Sequence, residues 1–224
     1  MIEYQVGPCL GVSACDELWM SRYILLRICE AEGIHVSFDP KPVEEQSGAG
    51  LHTNYSTRAM RAPGGFSAIL TAIEHLAAKH LEHIAVYGVG NEDRLTGEDD
   101  APSIDTFTFG VATRAGSVRI PREVERKNCG YLEDRRPAAN ADPYVVCAKI
   151  FKTTVVEVTP PEKRSGTAST AGSSVSATPT ALGLLPPLMA SVTIAAEPDA
   201  PDAANVMLRS TSNSATPLTR KLVV

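Results

Sequence analysis

The sequence predicts an α+β fold over residues 1–158, followed by a disordered tail over residues 159–224. Helical periodicity is interrupted by short strand-like segments with irregular connections, which favours an antiparallel sheet with flanking helices over a regular βαβ order. All the aromatic residues, one Trp, six Tyr and five Phe, lie at or before Phe151. From residue 159 onward, 37 of 66 residues are Ala, Ser, Thr or Pro. Such a composition buries too little apolar surface to offset the entropy of ordering it.

The first predicted helix spans residues 13–32. Its apolar residues recur at intervals of three and four, which is the period of a helix with one buried face. Ser13 and Asp16 have the spacing of a capping box, and Gly33 follows as the stop.

The second predicted helix spans residues 66–84 and begins after Gly64-Gly65. Its apolar positions follow the 3.6-residue period for five turns without a break. On such a helix His75 and His83 lie on or near the polar side and His80 on the apolar stripe, so we interpret all three as structural.

A third helix is predicted to begin at Asp142-Pro143, because a capping residue followed by proline is typical of a first turn. Four segments have the partial alternation of strands, namely residues 34–38, 51–56, 111–120 and 130–133. On one continuous strand over residues 111–120, Arg114 and Arg119 would face opposite sides, unless a bulge intervenes.

Charge and apolar patterning exclude several classes of function. Residues 1–158 hold 16 basic and 22 acidic side chains, which argues against a general nucleic-acid binder. The most apolar stretch, residues 181–196, is shorter than a membrane span and is broken by two prolines. The start has no signal-peptide pattern. Five cysteines without a CxxC pair indicate reduced thiols and a cytoplasmic protein.

Within this acidic chain, residues 94–136 contain seven arginines. Guanidinium groups bind phosphates and carboxylates through paired hydrogen bonds, so the cluster permits phosphoryl chemistry, although most such clusters are solvated or ion-paired faces. Oxygen ligands for a hard divalent cation are available from Glu3, Glu133 and the run Glu98-Asp99-Asp100. An imidazole suited to the same kind of ion is available from His52, which follows the small residues Gly48-Ala49-Gly50. Each of these taken singly is more often a surface charge or a structural histidine.

Six motifs of the chain resemble those of glutamine synthetase of the eukaryotic type, in the order and near the spacing of that family. They are Glu3-Tyr4-Gln5-Val6-Gly7-Pro8-Cys9, Phe38-Asp39-Pro40-Lys41-Pro42, Gly48-Ala49-Gly50-Leu51-His52-Thr53-Asn54, Arg94-Leu95-Thr96-Gly97, Arg119-Ile120-Pro121-Arg122 and Tyr131-Leu132-Glu133-Asp134-Arg135-Arg136-Pro137. The resemblance covers about residues 2–144 and fades beyond them.

The resemblance implies the ATP-dependent ligation of ammonia to glutamate through a γ-glutamyl phosphate, with Mg²⁺ or Mn²⁺, at a site between subunits of stacked rings. The implied metal ligands are Glu3, His52 and Glu133. The implied glutamate site comprises Gly48, His52, Arg94 and Arg135. Arg114, Arg119 and Tyr131 are the implied ATP-binding residues. Asp100, Arg114 and Arg135 are the implied catalytic residues.

The chain departs from the family pattern at three places. Ser47 stands where the family has Asn before Gly-Ala-Gly, and Asp99-Asp100 replaces His-Glu in the flap over glutamate. Asp100 keeps a carboxylate but is one methylene shorter. The part of the family sequence before Glu-Tyr-Gln is absent from these 224 residues, and with it a small β-grasp domain and several metal-binding carboxylates. We therefore expect the chain alone to be inactive or weakly active.

Two alternatives remain at the level of sequence. One is a non-catalytic homologue that joins or modulates the oligomer of a full-length enzyme. The other is a guanidino kinase, an enzyme of related fold that also surrounds phosphates with arginines. The Glu133-Asp134-Arg135-Arg136-Pro137 motif argues against the second.

Overall fold

A computed structural model of the chain describes residues 3–98, 100–158, 187–192 and 220–223. These residues form helices and strands in the following order: β1 (Tyr4–Leu10), α1 (Ser13–Ala31), β2 (Ile34–Ser37), β3 (Thr53–Tyr55), α2 (Arg58–Arg61), α3 (Phe66–Ala78), α4 (His80–Ile84), a 3₁₀ turn (Asn91–Asp93), β4 (Phe109–Val111), β5 (Val118–Ile120), α5 (Arg122–Lys127), β6 (Leu132–Asp134), α6 (Pro143–Phe151), a π turn (Lys152–Val156), β7 (Pro187–Val192) and β8 (Arg220–Val223).

A six-stranded sheet, in the order β1-β7-β3-β6-β5-β4, forms the frame of the molecule. Its pairs are antiparallel except for β4 with β5, and a separate parallel pair joins β2 to β8. The predicted α+β class with a largely antiparallel sheet is therefore confirmed. Strand β1 was not among the predicted strands, because the sequence motif there did not indicate one.

Strands β7 and β8 lie inside the range that composition predicts to be a disordered tail. β7 pairs with β1 on one side and with β3 on the other. The rest of that range, residues 159–186, 193–219 and 224, lies outside the described residues. The division of the chain at residue 158 therefore stays a prediction.

Helix α1 has the predicted extent, but its predicted capping box is wrong. Val12 occupies the N-cap position and no side chain caps the helix, because Ser13 is already its first helical residue. The carboxylate of Asp16 instead accepts a hydrogen bond from the hydroxyl of Tyr144 on α6. Asp16 thus links two helices rather than closing the end of one.

The second predicted helix is broken into α3 and α4 at Lys79, whose φ of -112° and ψ of 19° are not helical. The break changes the phase of the residues that follow. His83 is fully buried, so its predicted place on the polar side is wrong, whereas His80 is buried as predicted. Periodicity treats a helix as straight and could not show this change of direction.

Helix α6 begins as predicted, since the carboxylate of Asp142 accepts a hydrogen bond of 2.9 Å from the backbone N–H of Tyr144. Its end passes into the π turn, which places the buried Thr153 against α4. The π turn therefore brings a polar side chain into the core.

The predicted single strand over residues 111–120 is wrong. It is divided into β4 and β5, which pair in parallel, and residues 112–117 form the connection. Ala112, with a φ of +55°, turns the chain out of β4. Arg114 consequently lies in a loop, and its orientation is not tied by strand alternation to that of Arg119.

One buried apolar cluster joins the helices to the sheet. It includes Leu18 of α1, Ile69 of α3, Tyr55 of β3, Ile120 of β5 and Leu132 of β6. All five cysteines are unpaired, in agreement with the reduced thiols that the odd count and the lack of a CxxC pair predict. No helix among the described residues is long and apolar enough to cross a bilayer.

Candidate active site

A cavity of about 330 Å³ opens at the sheet where β1, β3, β5 and β6 carry polar side chains. It is lined by Glu3, Gln5, Asn54, Ala112, Arg114, Arg119, Pro121, Arg122, Tyr131 and Glu133. The fold therefore brings together five residues that the sequence places in metal or ATP sites, from segments up to 130 positions apart.

Glu133 is the most connected of these residues. It lies on β6 opposite Asn54 of β3 on one side and opposite Arg119 of β5 on the other. Arg119 donates from Nε to Oε2 at 2.5 Å, and Arg135 donates from Nη1 to Oε1 at 3.3 Å. His52 Nδ1 lies 3.2 Å from the same Oε1. One carboxylate thus organises two arginines and one histidine.

The surroundings fix the ionisation of Glu133 and His52. Burial raises the pKa of Glu133, but His52, Arg119 and Arg135 together outweigh it, so the pKa lies below its usual value and the group is an anion. Burial lowers the pKa of His52 to about 4. At neutral pH His52 is therefore neutral, donates from Nδ1 to Glu133 and keeps a lone pair on Nε2.

Gly48 and Gly50 make room for the side chains around the site. A Cβ on Gly50 would lie 3.0 Å from both Arg94 Nη1 and His52 Nε2. A Cβ on Gly48 would lie 2.2 Å from Arg94 Cγ, closer than real contacts allow. The Gly-Ala-Gly segment is therefore required here for close packing against Arg94 and His52.

Arg94 is buried, with 6% of its surface exposed, and much of its hydrogen-bonding capacity is used by the protein. Its Nε donates to Asn91, and its Nη2 donates to the backbone carbonyls of Arg135, Arg136 and Pro137 at 3.0, 2.6 and 3.0 Å. The described residues offer no hydrogen bond to Nη1, which faces Gly50 and His52. Nη1 is the atom of Arg94 that could contact a substrate.

Asp100 lies at the tip of a hairpin whose two sides are residues 95–98 and 100–104. A bridge between Thr96 and Ser103 closes this hairpin, and the N–H of Ile104 donates to the carbonyl of Leu95 at 2.9 Å. Asp100 Oδ2 lies 3.6 Å from Nη1 of Arg114, and both side chains are exposed. Asp99, the other acidic residue of the predicted flap, lies outside the described residues.

Five of the predicted site residues do not line the cavity itself, namely Gly48, His52, Arg94, Arg135 and Asp100. Three of them contact residues that do line it: His52 and Arg135 contact Glu133, and Asp100 contacts Arg114. Arg135 also has a buried Nε for which the described chain provides no hydrogen-bond partner.

The site prediction missed three polar residues of the cavity, namely Gln5, Asn54 and Arg122. Strand periodicity carried a signal for two of them. Gln5 is two positions after Glu3, and Asn54 is two positions after His52, so each shares a face with a predicted ligand. Arg122 begins α5 and forms no ion pair or hydrogen bond with the described residues, a property that only the fold reveals.

Among the residues that the structure describes, no group of three or more His, Cys, Asp or Glu side chains is arranged to hold a metal ion. The carboxylates of Glu3 and Glu133 share a cavity without forming a complete coordination shell.

Comparison with known proteins decides the family. The model for "Glutamine synthetase, catalytic domain" matches residues 2–158. The chain belongs to the glutamine synthetase family. It is 56% identical over 155 residues to the cytosolic isozyme of Medicago sativa, a match that covers 69% of this chain and 44% of the relative. It is 57% identical over 156 residues to the Amanita muscaria glutamine synthetase, with the same two shares.

The solved structures agree on the fold. The Plasmodium falciparum glutamine synthetase superposes with a TM-score of 0.54 at 16% identity, covering 66% of this chain and 30% of that one. At that identity the likeness shows the fold alone. Since the chain spans about 44% of the length of its curated relatives, the family assignment applies to the matched region, residues 2–158.

Proposed function

We propose that this chain carries part of a glutamine synthetase active site, which ligates ammonia to glutamate at the expense of ATP through a γ-glutamyl phosphate. One observation carries the proposal: Glu3, Arg114, Arg119, Tyr131 and Glu133 line a single cavity in a chain of that family. Phosphoryl transfer is accelerated mainly by fixed positive charge around the phosphate oxygens, which a ring of arginines supplies.

The arginines differ in the freedom that each has to bind phosphate. Arg114 has 76% of its side chain exposed at the mouth of the cavity and is free to rotate toward an anion. Arg119 is held by Glu133, which fixes its orientation, with about a third of the side chain exposed. We propose that these two bind ATP phosphates beside the ring of Tyr131, and that Arg94 Nη1 and Arg135 bind the substrate carboxylate and the transferred phosphoryl group.

The donor set suits a hard divalent cation, because carboxylate oxygens and a neutral imidazole are groups that bind Mg²⁺ or Mn²⁺. We propose Glu3 for one ion and His52 with Glu133 for the other. A bound cation would neutralise phosphate charge at the cavity. Glu133 is already anionic and His52 already neutral, so neither has to lose a proton before binding.

We propose that the 224-residue chain alone is inactive or weakly active. The described carboxylates do not complete a metal shell. A hard cation held by one or two protein oxygens is bound weakly. The test is glutamine formation by the purified chain with glutamate, ammonia, ATP and Mg²⁺. Robust metal-dependent turnover would contradict the inactivity while supporting the assigned reaction.

Nucleotide binding tests the site without requiring turnover. Arg119→Gln removes a charge from the cavity. Arg126→Gln removes an exposed arginine of α5 that pairs with Glu123 and does not line the cavity. We expect the first variant to bind MgATP about tenfold more weakly and the second to bind like the unmodified chain, because a charge-assisted hydrogen bond contributes about 1.5–3 kcal/mol. Equal effects of both substitutions, or no binding at all by titration calorimetry, would refute the ATP site.

The family also supports a cytoplasmic enzyme whose partners are other glutamine synthetase subunits in stacked rings. The names of several relatives describe cytosolic isozymes, which favours that location. Cell fractionation and light scattering of the purified chain test the two proposals. The alternative of a non-catalytic regulator has no observation in its favour here.

A further inference from the structure

A buried polar network lies on the face of β6 that points away from the cavity. Asp134 and Arg136 have fully buried side chains and form two paired hydrogen bonds, Nε to Oδ1 at 2.9 Å and Nη2 to Oδ2 at 2.7 Å. Tyr87 donates to the same Oδ2 at 2.8 Å. Neither the proposed reaction nor the proposed substrate contacts use these groups.

His80 extends this network to the hairpin, at Ile104. Arg136 Nη1 lies 3.1 Å from His80 Nδ1, and His80 Nε2 lies 2.8 Å from the carbonyl oxygen of Ile104. Arginine can only donate and a carbonyl can only accept. The ring must therefore be neutral, with its proton on Nε2. It connects the hairpin to Arg136, two residues after β6, through one donor and one acceptor.

Both ends of the hairpin are thus attached to the same stretch of chain. Arg94, just before the hairpin, donates to the carbonyls of Arg135, Arg136 and Pro137. Ile104, at its other end, is attached through His80 to the guanidinium of Arg136. The ring of Phe107 packs edge-on against His80, 5.7 Å between centroids.

The tip of this hairpin reaches a residue of the cavity wall, since Asp100 Oδ2 lies 3.6 Å from Nη1 of Arg114. The position of the tip depends on how firmly the two ends are held. Few contacts hold the tip itself, because both members of its ion pair are largely exposed and such pairs contribute little.

We propose that His80 is a positioning residue that holds the hairpin, residues 95–98 and 100–104, against Arg136 beside the end of β6, so that the tip stays at the mouth of the cavity. The inference goes beyond the proposed reaction. It concerns where the hairpin lies, and it holds or fails whether or not the chain makes glutamine.

Two substitutions separate the two hydrogen bonds of His80. Asparagine can place its Oδ1 where Nδ1 stands, so His80→Asn keeps the acceptor for Arg136 and loses the donor to Ile104. Glutamine can place its amide nitrogen where Nε2 stands, so His80→Gln keeps the donor to Ile104 and loses the acceptor. Both remove the ring from Phe107, and each is the matched control for the other.

Hydrogen exchange of backbone amides reads out the difference. In His80→Asn we expect the amides of Gly97, Ala101 and Ile104, which are bonded within the hairpin, to exchange at least tenfold faster than in His80→Gln at equal thermal stability. The amide of Arg135, bonded to Ser117, is expected to stay protected in both. Equal hairpin exchange in the two variants would refute the proposal.

The unmodified chain provides a test that does not depend on the variants folding. Nitrogen-15 shifts of the imidazole of His80 distinguish its tautomers. We expect the proton on Nε2 at pH 7, protected from exchange with water. A proton on Nδ1, or a rapidly exchanging Nε2 proton, would overturn the assignment.

Discussion

Strand β6 and the two residues that follow it, Arg135 and Arg136, place a carboxylate and an arginine on each of two faces, and the two pairs differ in how completely their hydrogen-bonding groups are satisfied. On the inner face, Asp134 and Arg136 are fully buried and bond to one another, to Tyr87 and to His80. On the cavity face, Glu133 is shared by Arg119 and Arg135. The residue types are alike, so the difference comes from their surroundings.

The inner pair leaves no atom for a ligand. All three guanidinium nitrogens of Arg136 have partners, whereas Arg135 has a buried Nε without one among the described residues. A charge pair with complete hydrogen bonding serves the fold, and one with unused donors beside a cavity is suited to binding.

The sharpest test of this contrast is Asp134→Asn. It leaves Arg136 buried without a counter-charge, which costs about 3–5 kcal/mol. We expect a loss of that size in the free energy of unfolding measured by urea denaturation, or a failure to fold. A loss below about 1 kcal/mol would show that the inner network contributes little to stability.

A pH titration tests the inner face next. Burial lowers the pKa of His83 to about 3, below the value near 6.5 of an unfolded chain. The unfolded state then binds the extra proton, so the stability is fully present above pH 6.5 and is lost as the pH falls toward 3. From pH 7 to 5 we expect a loss of about 2 kcal/mol from this group.

The control for that titration is His83→Asn, which can keep the donor to Tyr87 and cannot take up a proton. Its free energy of unfolding should fall less steeply over the same interval. Identical slopes for the variant and the unmodified chain would assign the pH dependence to other groups.

At the cavity face, Gly50→Ala should have a smaller effect on stability. The added methyl group would lie 3.0 Å from the ends of Arg94 and His52, which can shift by a few tenths of an ångström. We expect a cost of about 1 kcal/mol, at the low end for overpacking, together with weaker glutamate binding. Thermal unfolding and calorimetry measure both. Unchanged glutamate affinity would argue that Arg94 and His52 do not contact this substrate.

Glu133→Gln is expected to lower the free energy of unfolding by about 1–3 kcal/mol, less than Asp134→Asn, because Arg119 is partly exposed and can be hydrated. The amide nitrogen replaces one of the two oxygens that accept from Arg119, Arg135 and His52, so at least one of these donors loses its acceptor. It is also expected to affect Mn²⁺ binding, which should fall about tenfold or more in equilibrium dialysis. Glu123→Gln, at an exposed glutamate of α5, is the matched control. A stability loss as large as that of Asp134→Asn would erase the contrast between the two faces.

Local signals in the sequence predicted much of the frame. The extent of α1 followed from its apolar periodicity and from Gly33 after its end. The cap of α6 followed from the Asp142-Pro143 pair. Both signals lie in neighbouring residues. The break at Lys79 and the division of residues 111–120 into two parallel strands could not be predicted in this way. Each depends on packing against distant segments, which overrides a continuous local pattern.

The site shows the same division. The resemblance assigned binding roles to Glu3, Arg119 and Glu133. It gave no reason why Asp134 and Arg136, which belong to the same motif as Glu133, should stabilise the fold instead. Strand alternation separates the two faces, and only the contacts of Tyr87 with Asp134 and of His80 with Arg136 show that one of the faces is closed.

The sequence by itself therefore determined the family, the fold class and the residue types of the site, because motifs and periodicity are local properties of the chain. Only the tertiary structure decided which charges are free to bind and which support the fold. Burial and hydrogen-bond saturation set that distinction, and both depend on segments that are far apart in sequence: Arg136 is 56 positions from the histidine that connects it to the hairpin.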